Sequence, residues 1–167
     1  MTKEHHYKIK IEWQGNLGEG TKDYKSYKRD YKISAENKKD ISCSSDPAFR
    51  GDPTRYNPEE MLAASISACH MLWYLHLCAD AGIIVAGYTD KPTGTMIEKD
   101  DGSGYFKEVT LNPTIVLADD SKIEIAQKLH DEANMKCFIA NSCNFEISHK
   151  PKFIIKKYTE VLNAAKL

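Results

Sequence analysis

The chain has 167 residues, 41% of them apolar and 28% charged, with a formal net charge of −1. That length allows one domain with a substantial core, and the balance is that of an ordinary globular protein. The near-neutral charge carries no electrostatic footprint for nucleic acid or an anionic membrane, and no like-charged run is long enough for a binding tail.

Near the start, Tyr7, Ile9, Ile11 and Trp13 alternate with polar residues, the period of a half-buried strand. The Gly-rich turn "GNLGEGT" lacks the phosphate-loop pattern, and the "KDYKSYKRDYKI" after it reads as strand rather than helix. A hairpin with a third strand near "KDISCS" is therefore expected within 5–45. Residues 44–58 are rich in turn formers and read as a loop. The loop ends on a helix start: Asn57 can cap, Pro58 suits the first helical position, and Glu59 and Glu60 favour the positive helix end. The helix is expected over 58–81, stopping at Gly82.

Residues 61–81 are long and mostly apolar, but Ser65, Ser67, His70, His76 and Asp80 interrupt them. A core helix is expected rather than a membrane span. Its apolar residues occupy nearly every face, which predicts burial all round. One small domain hardly encloses such a helix, so a second chain is expected to help cover it. Three strands are expected in 84–118, with turns at "DKPTG", "KDDGSG" and "NP". Ser121 and Glu124 form a capping-box pattern that opens a second helix, 121–136, with Ile125, Leu129 and Ala133 on one face. A last strand and a short tail helix are expected in 144–167. The order gives one α+β domain over 1–167 with mainly antiparallel sheets.

The five cysteines are Cys43, Cys69, Cys78, Cys137 and Cys143. Their odd number, and an N-terminus without an apolar leader core, suit a reducing cytoplasmic compartment. No C-x-x-C pair suggests a zinc ribbon. Cys69 lies about three turns into the apolar helix, where a thiol is either an inert core filler or a nucleophile. An unperturbed thiol is only a few per cent ionised at neutral pH, so a nucleophilic Cys69 requires a cation to reach it. Cys78 is half a turn away and roughly 13 Å along the axis, which excludes a disulfide between the two. Cys43 and Cys143 sit at strand-like positions and read as structural. Cys137 lies where a helix ends and the chain turns, a place where a thiol can move. His70 points about 100° from Cys69, which argues against a Cys–His dyad, and no spacing specifically makes His70, His76 and His130 metal ligands.

The cation must come from few residues, because the chain has 20 Lys but only Arg29, Arg50 and Arg55 as arginines. Arg presents a planar, permanently charged fork, which a carboxylate such as Glu59 can orient by a bidentate pair. In a straight helix Glu59 and Cys69 are about 15 Å apart. Sharing one Arg would need a kink at "AASISA" or a long bridging geometry.

The motif "RYNPEEMLAASISACH", followed by "CFIANSCNF", resembles the OsmC-like family, which includes the organic hydroperoxide resistance proteins. The resemblance runs from "WQGNLGEGT" to the final strand. It implies an intertwined homodimer whose long central helices pack together, flanked by mainly antiparallel sheets from both chains. It further implies thiol-dependent reduction of organic hydroperoxides, with Cys69 as the peroxidatic and Cys137 as the resolving cysteine. Glu59 matches the acidic residue that holds an Arg, for which Arg29 is the first candidate and Arg50 the second. No metal or organic cofactor is implied, and a cellular dithiol would restore the pair. Two departures stand out. His70 replaces an aromatic residue of the hydroperoxide resistance proteins, and "CFIANS" replaces their Cys-Pro run. A different class of reading remains open: a non-enzymatic homodimer that binds a small hydrophobic molecule in the same cleft. A cysteine hydrolase or transferase is a third reading, but local spacing places no His as its base.

Overall fold

The computed structural model describes residues 2–156. These divide into two compact units, with the boundary between Leu62 and Ala63. The first holds a three-stranded antiparallel sheet, β1 (Lys10–Trp13), β2 (Tyr31–Ser34) and β3 (Ile41–Cys43), in that order. Cross-strand register aligns Ile11 with Ile33 and Ile33 with Ile41, and Trp13 with Tyr31 and Tyr31 with Cys43. One face is therefore apolar, and the other carries Lys10, Glu12 and Lys32. The expected half-burial of the first strand is not met: Ile11 and Trp13 are 61% and 44% exposed. Nothing within this three-stranded sheet covers their face.

The stretch 21–30 also departs from expectation, because it forms turns and joins the sheet only at Tyr31. Local side-chain bonds win over strand pairing. Asn16 Oδ1 accepts from the amides of Gly18 and Gly20, and Asp23 Oδ1 accepts from the Lys25 amide. Gly15 is required by close approach, since a Cβ there would lie 1.8 Å from the Lys28 carbonyl oxygen.

The long helix α1 (Pro58–Asp80) begins as the sequence predicts. Asn57 Oδ1 accepts from the Glu60 amide at 2.8 Å, and Glu60 Oε2 accepts from the Asn57 amide at 3.2 Å, a reciprocal capping box. The helix passes uninterrupted through "AASISA" and stops at Gly82, which takes the left-handed φ of +64° while the Ile83 amide returns to the Cys78 carbonyl. It is the one helix among the described residues long and apolar enough to cross a membrane. Tyr74, Leu77 and Cys78 instead pack into the core of the second unit with Ile83, Ile115, Leu117, Ala126 and Ala133. Burial is not all round: Ala64, Ala68, Leu72, His76 and Ala79 form an exposed strip, with Leu72 63% exposed.

The second unit contains two mixed three-stranded sheets. Four strands, not three, fill the middle of the chain: β4 (Val85–Thr89), β5 (Thr93–Glu98), β6 (Gly104–Leu111) and β7 (Thr114–Leu117). The turns fall at the three signals, and three turns separate four strands. Asp90 fixes this region to α1, its carboxylate accepting from the Asn112 amide and the Ser67 hydroxyl. The second helix, α2 (Ile123–Lys136), follows a 3-10 turn at Asp120–Lys122. Its expected Ser121 box does not form, because Asp119 captures the Ser121 amide first.

The expected last strand is two strands, β8 (Glu146–His149) and β9 (Lys152–Ile155), broken at Pro151, whose nitrogen cannot donate to a ladder. β8 pairs parallel with β6 and β9 parallel with β7, giving sheet orders β5-β6-β8 and β4-β7-β9. The α+β class therefore holds, with antiparallel hairpins and two added parallel edges. The expected tail helix lies outside the described residues.

Candidate active site

The phase of α1 decides which side chains accompany Cys69. Ser65, Leu72, Trp73 and His76 stand four residues before it and three, four and seven after it, the offsets that share a helix face. Together with Ala68, Phe138 and Ile139 they line an open, mainly apolar pocket of about 550 Å³ around the Cys69 thiol. Trp73 meets Phe138 edge-on, with ring centroids 5.8 Å apart. The sequence surrounds Cys69 with the apolar Met71, Leu72 and Trp73, and of these Leu72 and Trp73 line the pocket. Met71 does not line the pocket, because an offset of two turns a side chain about 200° around the helix. Phe138 and Ile139 escaped sequence reasoning, although their place directly after Cys137 was the available signal.

Cys137 caps the end of α2 in extended conformation and is fully buried. The Ala140 amide donates to its sulfur at 3.4 Å. Its thiol lies near enough to the Cys69 thiol for the two to interact electrostatically. Burial, and then that neighbouring Cys69 thiol, push the Cys137 thiol up to about 11, against the opposing amides of Ala140 and Ile139. Cys137 therefore keeps its proton at neutral pH and can donate it to the Cys69 sulfur. Both thiols are free. The two cysteines that sequence spacing separates by 68 positions are thus neighbours in the fold.

The other thiols are structural in setting. Cys78 is buried in the core, and burial raises it. Cys43 ends β3 and is buried. Cys143 is not in a strand. It ends a 3-10 turn, held by the Ala140 carbonyl and by Ser142 bonding back to Phe138. His76 lies on the pocket face, whereas His70 and His130 are in the core. Among the described residues no group of three His, Cys, Asp or Glu side chains could hold a metal ion.

The expected activating groups lie in the first unit. The Arg29 guanidinium stacks 4.1 Å from the ring centroids of both Tyr24 and Tyr27 and donates to both their carbonyls at 2.6 Å. Arg50 occupies a left-handed position, φ 66°, after the 3-10 turn Pro47–Phe49. With Lys28, Arg29, Asp30 and Asp52 it lines a pocket of about 240 Å³. Arg55 is engaged with Asp52 at 3.4 Å and Asp30 at 3.8 Å. Glu59 stands in the first turn of α1 with its Oε2 buried and without a hydrogen-bond partner, a carboxylate oxygen placed to accept from a donor.

Residues 51–152 match the family model described as OsmC-like protein. Among solved structures, an OsmC-like protein of unknown function from Vibrio cholerae is 27% identical, with a TM-score of 0.79 over 89% of this chain and 99% of that one. An organic hydroperoxide resistance protein from Elizabethkingia anophelis shares the fold at 20% identity, TM-score 0.64, covering 92% of this chain and 100% of its own. The corresponding protein from Bacillus subtilis does so at 19%, TM-score 0.60, covering 89% and 98%. No curated protein matches the chain.

Proposed function

The chain belongs to the OsmC-like family, and from that premise we propose that it is a thiol-dependent peroxidase acting on organic hydroperoxides. The observation that carries this reading is the free Cys69 thiol, opening into an apolar pocket with a protonated Cys137 beside it. The Cys69 thiolate attacks the distal peroxide oxygen; the O–O bond breaks, and the alkoxide leaves as alcohol after taking a proton. Cys69 is now a sulfenic acid. The Cys137 sulfur displaces its hydroxyl, which departs with the Cys137 proton as water, leaving a Cys69–Cys137 disulfide. A cellular dithiol reduces this disulfide by exchange.

Arg29 or Arg50, oriented by Glu59, supplies the positive charge for the thiolate and the departing alkoxide. The resemblance alone supports this assignment: Arg29 is engaged by the Tyr24 and Tyr27 carbonyls, and the buried Glu59 oxygen has no hydrogen-bond partner. The matched segment, 51–152, crosses the boundary between the two units, which supports a single OsmC-like domain over 1–167. The exposed α1 strip and the apolar face of β1–β3 support a homodimer, since monomers seldom leave contiguous apolar faces open.

The test is stoichiometric. Cumene hydroperoxide added to reduced protein should remove two thiols per peroxide and yield a Cys69–Cys137 disulfide. Thiol loss that persists in Cys69→Ser overturns the assignment. The almost wholly apolar lining favours one rival, a passive pocket for a small hydrophobic molecule. That rival predicts no peroxide-dependent thiol loss at all.

A further inference from the structure

The residue after Cys69 points about 100° away from it, into the core. His70 on α1 and His130 on α2 are fully buried, and their facing ring nitrogens, Nε2 and Nδ1, are 2.9 Å apart. The ring planes are within 8° of each other. The Tyr74 ring stacks on His130 at 3.9 Å. His149 on β8 closes the cluster at 5.5 and 5.6 Å from the two rings, and is itself held to Asp131 of α2 at 3.2 Å. Burial, and then the neighbouring imidazoles, pull His70 down to about 4 and His130 to about 3. Both rings are therefore neutral at neutral pH, the state in which one donates and the other accepts.

Besides the core that Ala126 and Ala133 share with Tyr74, Leu77 and Cys78, two specific contacts join α2 and the residues that follow it to α1. His130 meets His70 and Tyr74, while Cys137 and Phe138 meet Cys69 and Trp73. On α1 these are adjacent rows, one residue apart. On the second partner they are seven residues apart, about 10 Å along a helix. α2 therefore runs across α1, packed on it through the shared apolar core, with an imidazole pair at one point and the two thiols at another. Seven residues are close to two full turns, so His130 and Cys137 share a face.

We propose that the His70–His130 pair, backed by His149, is the positioning element of the dithiol: it holds the crossing of α2 over α1, and so governs closure of the Cys69–Cys137 disulfide rather than oxidation of Cys69. The proposal rests on the peroxidase reading for its role in turnover, but the positioning itself is measurable without peroxide. Equilibrating the protein with mixtures of reduced glutathione and glutathione disulfide reads the effective concentration of one thiol toward the other.

The double variant His70→Leu/His130→Leu removes the bond without stranding either partner. Its equilibrium constant for the disulfide should fall at least tenfold relative to the native chain. With cumene hydroperoxide its Cys69 should be oxidised within twofold of the native rate, yet accumulate as sulfenic and then sulfinic acid instead of disulfide. His70→Gln carries an amide to the Nε2 position and should restore closure, whereas the shorter His70→Asn should not. This comparison of two equally polar substitutions decides the matter if the leucine variant fails to fold. Equal closure in the Gln and Asn variants, a leucine variant that closes at the native constant, or a native chain that forms no such disulfide with glutathione each overturns the proposal. Closure with glutathione disulfide but not with peroxide leaves the positioning supported and removes the peroxidase reading instead.

Discussion

Cys69 and Cys78 lie on one helix, nine residues and half a turn apart, and the molecule treats them oppositely. Cys78 is 1% exposed among Tyr74, Leu77, Ile115 and Leu117, and burial raises its thiol while the Tyr74 hydroxyl only partly offsets this. Cys69 faces an open pocket and a second sulfur. Residue type and element are the same, so the difference is phase alone. A thiol on the core face has hydrocarbon around it and no route to solvent or partner. A thiol on the pocket face has access, an apolar binding wall and a resolving group.

The sharpest way to break this contrast is to remove each sulfur. Cys69→Ser should lower hydroperoxide consumption at least 100-fold, read as residual peroxide over time with a dithiol present. Cys78→Ala should leave that rate within about twofold, while lowering stability by on the order of 1 kcal/mol through the small cavity left behind. Reversal of the two results would place the chemistry on the wrong face of α1.

The core face should also announce itself in acid. His70 and His130 stand at about 4 and about 3, below the roughly 6.5 of an unfolded imidazole. The unfolded chain therefore binds more protons as pH falls, and their stabilising contribution is complete above about pH 6.5 and lost as pH drops through 4. For His70 alone the full loss is about 3 kcal/mol. The groups facing the pair are His149 with its partner Asp131, and Tyr74, which burial keeps protonated across this range. Urea unfolding between pH 7 and 4 should show this slope, and His70→Leu/His130→Leu should flatten it. An unchanged slope in the double variant would mean that other groups carry the acid sensitivity.

How much of this arrangement the sequence disclosed depends on the range of the interactions. The ends of α1 were legible, because its start and stop are local: Asn57, Pro58 and Glu60 at one end and Gly82 at the other; its burial was not, since the strip through Ala64, Ala68, Leu72, His76 and Ala79 stays exposed. The surroundings of Cys69 were legible only in part: Leu72 and Trp73 lie on its face, but Met71, grouped with them by nearness in sequence, does not, as helix phase requires. The family motif supplied Cys137, and no local rule could have done so. β8 and β9 were read as one strand because the switch at Pro151 depends on two different long-range partners, β6 and β7. The His70–His130–His149 cluster was invisible, since three histidines 60 and 19 positions apart have no common period. Ser121 misled because Asp119 is a stronger local acceptor two residues earlier.

The smallest test sharpens the same contrast at its origin, the point that fixes where α1 begins. The Asn57–Glu60 box is reciprocal in the structure, whereas the equivalent pattern at Ser121 and Glu124 is not used. Asn57→Ala should therefore cost about 1 kcal/mol, the usual worth of an N-cap. Ser121→Ala should change stability by less than about 0.5 kcal/mol, as for a surface position without a cap bond. Denaturant midpoints at constant slope measure both. Two thiols should still be lost per peroxide in Asn57→Ala, because later turns of α1 are phased by packing of Tyr74, Leu77 and Cys78 rather than by the cap. A stoichiometry that falls toward one would mean that the cap itself sets which way Cys69 faces, and that α1 is not held by its core face.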